Sequence, residues 1–288
     1  TFTATGDAIL RAGATPLFVD IDSNDFNLNV EHLKEILSTG HVDEHRIVGV
    51  LPVHLFGHSC DMSTIMDVVE QYSLFVLEDA AQAFGAEWMG KKLGGIGTIG
   101  AFSFFPTKNI GGFGDGGLVT TNDDRLAELV RMLLRHGGKD KYNVEHIGYN
   151  SRLDTIQASI LQVKMRYIDE FNLKRRRIAE FYSRVLQDLT SIKLPLYYDT
   201  YQHVYHQYTI RVTDGRRDQL HLALKEKQIS TMIYYPIPLH QMKVFEGRCV
   251  KDGSLNNAET MCGEVLSLPI APLMSLEETE LVVTSIRE

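Results

Sequence analysis

The chain has 288 residues, 44% of them hydrophobic and 23% charged, which is enough apolar content for one large core or two smaller ones and excludes disorder, collagen and coiled coil. With 29 Lys and Arg against 37 Asp and Glu the formal charge is −8, so no overall basic character invites a nucleic-acid backbone, although a local pocket for one small anion is compatible with that balance. No apolar run approaches the ~18 residues of a membrane helix, no basic-then-apolar leader opens the text, and the three cysteines (Cys60, Cys249, Cys262) form no CxxC pair, so the expectation is a cytoplasmic protein with no membrane, disulfide or zinc framework.

From residue 1 to about 149, short apolar runs alternate with amphipathic stretches, the pattern of βα units on a largely parallel sheet. Residues 15–20 read as a short strand, 30–37 as a helix and the β-branched run 47–53 as a second strand. A helix over 62–71 follows, behind a cap at Asp61 or Ser63. The apolar run 74–77 stops abruptly at Glu78 and Asp79, placing two carboxylates at the C-terminal edge of a strand, where open α/β sheets bind ligands. A fourth strand, 101–105, runs into Pro106-Thr107-Lys108-Asn109, and a glycine-dense stretch leads into a strand over 118–121. After Gly148 the spacing predicts long helices over 153–167 and 168–189. Beyond Pro195, short strands at 206–212 and 232–235 surround a helix over 219–227, and a helix over 276–287 closes a smaller α+β unit. The predicted division is a large domain over 1–167, with a connecting helix and small domain over 168–288.

Several short motifs match by accident. Residues 95–100 fit GxGxxG, but a dinucleotide fingerprint follows a strand and opens a helix, whereas this one follows a turn and feeds a strand. Residues 85–92 nearly spell a phosphate loop, with Lys92 standing where a magnesium-binding Ser or Thr belongs. His54 and His58 are four apart, but Gly57 and the preceding strand oppose helical geometry, so hydrogen-bonded strand-end histidines are expected there and no metal.

Lys108 is the most informative residue, because it follows an apolar strand in a turn fixed by Pro106 and relaxed by glycines. A partly desolvated lysine is a nucleophile toward carbonyls and forms Schiff bases. A lone turn lysine is more commonly structural; its partners change the reading. Asp79 ends a different strand, where a carboxylate can hold a ring nitrogen protonated as pyridoxal phosphate requires, although capping a helix over 80–84 is an alternative role. Ser103 precedes Lys108 on its strand, where a hydroxyl can meet a phosphate. The glycines 111–117 would let backbone approach a ligand, and a hairpin or bulge would need them equally.

Together these segments closely resemble the nucleotide-sugar aminotransferases of the DegT/DnrJ/StrS type, which use pyridoxal phosphate on the type I, aspartate-aminotransferase fold. The resemblance rests on Thr1-Phe2 with Ala4-Thr5, Phe18-Val19-Asp20-Ile21-Asp22, Pro52-Val53-His54-Leu55-Phe56-Gly57, Glu78-Asp79-Ala80-Ala81-Gln82-Ala83, Ser103-Phe104-Phe105-Pro106-Thr107-Lys108-Asn109, Gly148-Tyr149-Asn150-Ser151-Arg152-Leu153-Asp154, Tyr235-Pro236-Ile237-Pro238-Leu239-His240 and Leu266-Ser267-Leu268-Pro269. They span nearly the whole chain in family order.

The resemblance implies an α/β protein with a mostly parallel large domain that binds pyridoxal phosphate and a smaller C-terminal α+β domain. It implies that Lys108 binds the cofactor covalently and shuttles a proton, and that Asp79 pairs with the pyridine nitrogen. Gln82 would bond the ring hydroxyl, Ser103 would hold the phosphate, and Phe2 and Ala81 would pack on opposite faces of the ring. Asn150 would reach the phosphate in the neighbouring subunit, implying a homodimer with shared active sites. Arg152, Tyr234, Tyr235 and His240 fall in segments that line the sugar-nucleotide pocket; relatives usually carry His at the position of Tyr234. The family also has an upstream segment with a Ser-Gly-Thr turn that binds phosphate. The expectation is therefore that the N-terminal segment is missing, leaving the sheet and phosphate cup incomplete and cofactor binding weak. The implied reaction moves an amino group from L-glutamate to a nucleoside-diphosphate keto-sugar. The Asn-Ser-Arg-Leu-Asp wording and Lys141-Tyr142 favour a dTDP-linked 3-keto-6-deoxyhexose. A 4-keto-sugar or cyclitol aminotransferase and a non-catalytic cofactor-binding regulator are the alternatives.

Overall fold

In the computed structural model, which describes residues 1–39, 46–196 and 201–288 (backbone only at 201–202), the chain divides its apolar residues between two main cores. The first half runs through α1 (Thr3–Arg11), β1 (Leu17–Phe18), α2 (Val30–Thr39), β2 (Gly49–Val50), α3 (Met62–Gln71) and β3 (Phe75–Asp79). A hairpin of β4 (Glu87–Trp88) and β5 (Lys91–Lys92) then precedes β6 (Ile99–Ser103) and β7 (Gly117–Thr120). The main sheet has the order β2-β3-β6-β7, with the first three strands parallel and β7 an antiparallel edge. Leu33 and Leu37 of α2 and Ile65, Val68 and Val69 of α3 pack with Val50 and Val76 of the sheet to form the first core. Of the two candidate caps for α3, Asp61 is the one used: its carboxylate accepts the Thr64 N–H at 3.0 Å. Residues 95–100 behave as a turn feeding β6, so GxGxxG there opens no helix.

The second half contains α4 (Asp124–Leu133), α5 (Thr155–Met165), α6 (Ile168–Leu186), β8 (Ile192–Lys193), β9 (Tyr201–Gln202), β10 (Tyr208–Val212) and α7 (Arg217–Glu226). It ends with β11 (Val250–Lys251), α8 (Asn256–Glu264), β12 (Val265–Leu268) and α9 (Leu276–Arg287). An antiparallel sheet, β12-β10-β8, supports the second core, where Tyr182 and Leu186 of α6, Leu224 of α7 and Val282 and Val283 of α9 meet Tyr208, Ile210, Leu266 and Leu268. Ser275 and Glu278 form a reciprocal capping box that starts α9. No helix among the described residues is long and apolar enough to cross a membrane.

Several features depart from the sequence reading, among them the strand expected at 47–53, which reduces to β2 with a single bridge at Val53. The strand expected at 15–20 shrinks to β1, which pairs in parallel with β11 and is no part of the main sheet. The cause is Asp20, whose carboxylate leaves the strand to accept the N–H groups of Asn257 and Ala258 in the first turn of α8, both at 2.9 Å. The strand expected at 232–235 reduces to one bridge between Met232 and Ser267. Helices α1, α4 and α8 were not foreseen; α1 carries Gly6, where an added Cβ would stand 2.6 Å from Cζ of Phe245, so the glycine buys close packing at the expense of helix propensity.

Candidate active site

Asp79 ends β3 opposite Ala101 of β6, so it lies at the C-terminal edge of the parallel strands. Its carboxylate is held by one donor on each oxygen: the Thr5 hydroxyl on Oδ2 at 2.7 Å and the Ala81 N–H on Oδ1 at 3.1 Å. No helix follows, so Asp79 caps a turn rather than a helix over 80–84. The neighbouring Glu78 points the other way and is fully buried. It accepts the N–H groups of Gly94, Ile96 and Gly97 at 2.7–2.8 Å and faces His54 Nε2 at 3.1 Å. His54 Nδ1 accepts the Cys60 N–H, which places the ring proton on Nε2 and directs it at Glu78. Burial pushes the Glu78 carboxyl up, but His54 and the glycine-turn amides outweigh it and leave the group below the usual glutamate range.

Lys108 lies in the turn beyond β6, its N–H donating to Phe105 O at 2.9 Å. An added Cβ on Gly111 would fall 2.2 Å from Pro106 O, so this turn closes only over glycine. Burial lowers the Lys108 ammonium from the ordinary lysine range, and the negative charge of Asp79 opposes that shift. Behind the turn, Asn109 donates to Asn172 Oδ1 at 2.8 Å and to Val204 O at 3.0 Å, and its own Oδ1 is 3.2 Å from His206 Nδ1. Burial, with the charges of Lys108 and Arg175, holds His206 well below its ordinary value, hence neutral.

Gln82 is buried, its Oε1 accepting the Phe56 N–H at 2.6 Å and its Nε2 donating to Tyr235 Oη at 3.1 Å. One amide proton of Gln82 remains to meet a ligand. Phe56 adopts φ 60°, a left-handed conformation costly for a bulky residue, and its N–H thereby points at Gln82. Phe2 is 58% exposed with its ring 6.4 Å from that of Tyr235. Tyr234, Tyr235 and His240 line one cleft of about 120 Å³, together with Phe18, Phe56 and Met261. His240 Nε2 bonds Glu259 at 2.9 Å. Ser103 Oγ accepts the Phe105 N–H at 3.2 Å, leaving its own proton to donate.

The structure thus gathers Asp79, Ala81, Gln82, Ser103 and Lys108 along one sheet edge, with Tyr235 and Phe2 beside them. Asn150 and Arg152 are both exposed, and Arg152 donates to Asn150 Oδ1 at 3.3 Å. Sequence reasoning missed Thr5 as a partner of Asp79, and the glycine turn as the cradle of Glu78. The GxGxxG glycines were a visible signal for the second; the first had none, being a contact across 74 residues. A pyridine ring bearing an aldehyde, a hydroxyl and a phosphate needs an amine, a carboxylate for its nitrogen, an amide for its hydroxyl and hydroxyl donors for its phosphate. Lys108, Asp79, Gln82 and Ser103 supply that donor set, so the residues present fit pyridoxal phosphate.

Fold and site define a class: an α/β protein in which a half-buried lysine and a carboxylate that acts on it electrostatically lie at the C-terminal edge of a mainly parallel sheet, backed by a smaller antiparallel unit. The chain belongs to the DegT/DnrJ/EryC1/StrS aminotransferase family, whose profile matches residues 1–287. It is 44% identical to a "Pleiotropic regulatory protein" of Geobacillus stearothermophilus over all of this chain and 76% of that protein. It is 40% identical to the UDP-N-acetyl-3-dehydro-alpha-D-glucosamine 3-aminotransferase of Acidithiobacillus ferrooxidans (100% and 75% covered). Identity is 41% with the dTDP-3-amino-3,6-dideoxy-alpha-D-galactopyranose transaminase of Aneurinibacillus thermoaerophilus (99% and 76% covered). Among solved structures it superposes on DesV of S. venezuelae, determined in complex with a ketimine intermediate, with a TM-score of 0.93 at 37% identity, covering 100% of this chain and 75% of DesV.

Proposed function

We propose that this aminotransferase, which depends on pyridoxal phosphate, moves the amino group of L-glutamate to the 3-keto carbon of a dTDP-linked 6-deoxyhexose. Membership of the family carries the aminotransferase activity and the cofactor. The residue roles are carried by one observation, the half-buried Lys108 set against the charge of Asp79 at the strand edges. The bound cofactor supplies an electron sink that stabilises negative charge on the carbon losing its proton. Lys108 Nζ, its ammonium lowered from the ordinary lysine range by burial, would hold the cofactor at its aldehyde carbon and carry the proton between the substrate carbon and the cofactor carbon, a transfer worth typically ~10²–10⁴ in rate. Asp79 holds the proton on the ring nitrogen. Gln82 orients the ring hydroxyl with its remaining N–H, Ser103 donates to the phosphate, and Phe2 and Ala81 sandwich the ring. Tyr234, Tyr235 and His240 line the sugar side of the cleft, and the guanidinium of Arg152 meets the anionic nucleotide. Asn150 reaches the cofactor phosphate of a second subunit, making a homodimer with shared sites. The location is the cytoplasm.

Support for the 3-keto position comes from the two relatives named for 3-amino sugars, one on UDP and one on dTDP. The Asn-Ser-Arg-Leu-Asp wording at 150–154 resembles that of enzymes acting on 3-keto sugars and supports the same position. The test is purified protein with added pyridoxal phosphate, L-glutamate and each keto-sugar nucleotide. The wild type should develop a visible absorbance band and consume glutamate with the dTDP sugar, and Lys108→Ala should lose both. A band unchanged in Lys108→Ala sinks the lysine assignment, because no other amine would then be implicated by the geometry. A second reading, a cofactor-binding regulator, is favoured by the name of the Geobacillus relative. A visible band without turnover of any donor and acceptor pair would select it.

A further inference from the structure

We propose that Thr5 is a positioning residue for Asp79, its hydroxyl fixing the plane of the carboxylate that meets the cofactor's ring nitrogen; this rests on the aminotransferase reading above. An ionised carboxylate only accepts hydrogen bonds, so the 2.7 Å contact to Oδ2 makes Thr5 the donor. With Ala81 N–H on Oδ1, each oxygen has one fixed partner, one from backbone and one from a side chain. Two fixed points define the orientation of a planar group, and about two of its four lone-pair directions stay open. The backbone partner is lost only to a proline at position 81, whereas any residue without a hydroxyl at position 5 removes the other, so Thr5 is the adjustable half of the clamp.

The placement of Thr5 is itself built. Helix α1 closes on Phe245 through Gly6, the next residue, which has no side chain to hold the helix away. The β-branched side chain of Thr5 has few rotamers on a helix, so its hydroxyl is directed at low entropic cost. A competing partner exists, because Asp79 also attracts the Lys108 ammonium. Without Thr5, the carboxylate is free to turn toward Lys108. That would hold a proton on the amine and weaken the hold on the ring nitrogen at the same time.

The experiment compares wild type, Thr5→Val and Thr5→Ser as purified proteins titrated with pyridoxal phosphate labelled with 15N in the ring. Thermal melts without cofactor establish that each is folded, and Thr5→Ala replaces the valine variant if valine does not fit. Thr5→Val should bind cofactor about tenfold or more weakly, the scale of a lost bond to a charged group. Its ring-nitrogen signal should move from the protonated toward the neutral position, and its visible band should form only at higher pH. Thr5→Ser should stay within about threefold of wild type, since the donor is retained. A ring-nitrogen signal in Thr5→Val identical to wild type overturns the assignment, as does equal weakening in valine and serine variants. No visible band in the wild type overturns the aminotransferase reading and this assignment together, which separates the two failures.

Discussion

At the scale of single residues, the site depends on a carboxylate that never touches the ligand. Glu78 is buried with three backbone donors and the His54 ring, and it stands next to Asp79 on β3. Its charged form is favoured in the fold, so its contribution to stability is fully present above the ordinary glutamate value of ~4.3 and is lost as pH falls through its lower folded value. Glu78→Gln retains one accepting oxygen but turns an NH2 toward donors, and should cost about 3 kcal/mol at neutral pH. The deficit should stay constant down to about pH 4.3 and shrink below it, because the wild type then loses what the variant never had. Thermal melts across pH check this, and a deficit that stays constant well below ~4.3 would count against the charge and for simple packing. Lys108 and Asp79 stood out in the sequence because one follows and the other ends an apolar strand, a purely local signal. Thr5 and the His54–Glu78 pair were not, since their meaning lies in who they face across the fold. Gln82 was legible as a ligand group only through family resemblance; that half of its bonding capacity is spent on Phe56 and Tyr235 required coordinates.

At the scale of elements, the expectations succeeded where periodicity was uninterrupted and failed where a segment is shaped by something distant. Helices α3, α6 and α9 follow their apolar spacing, and the Leu74 to Asp79 run is a central strand. Residues 15–20 have the composition of a strand in the main sheet, yet their register belongs to β11, and Asp20 serves α8. A carboxylate at a helix N-terminus satisfies orphan amides and favours the helix dipole. This one does so across 237 residues in the chain, so it also ties the N-terminal half to the C-terminal half. Arg211 adds a second tie, donating to Ser23 O and to Glu264, both at 2.8 Å. Asp20→Ala should therefore cost about 1–2 kcal/mol, with the loss concentrated at α8. Amide exchange of residues 256–260 should speed up while that of α3 stays at the wild-type rate. Uniform acceleration over both helices would mean that Asp20 supports global folding and not the α8 junction.

At the scale of the whole molecule, the net charge of −8 and the anionic substrate proposed for it are reconciled only if positive groups gather locally. Arg152 is one such group, bonded to Asn150 in an exposed stretch. That stretch also carries Tyr142, Val144, Ile147 and Tyr149, all exposed, with Ile147 at 97%. Such a cluster of large apolar residues on a surface marks an interface. The homodimer proposed above, with Asn150 of each subunit reaching the site of the other, would cover it with the same patch of a second copy. The arrangement has an arithmetic consequence that a monomer lacks. Lys108→Ala destroys the lysine of a site, and Asn150→Ala destroys the residue lent to the other site. When the two variants are mixed and allowed to exchange subunits, half of the dimers are mixed. Each mixed dimer holds one site with both changes and one site with neither. Activity should therefore return to about a quarter of the wild-type value from two preparations that are each impaired alone. Measured turnover after co-refolding decides it. Activity no greater than the mean of the two separate variants would place Asn150 and Lys108 in the same subunit's site, and the shared-site dimer would have to be abandoned.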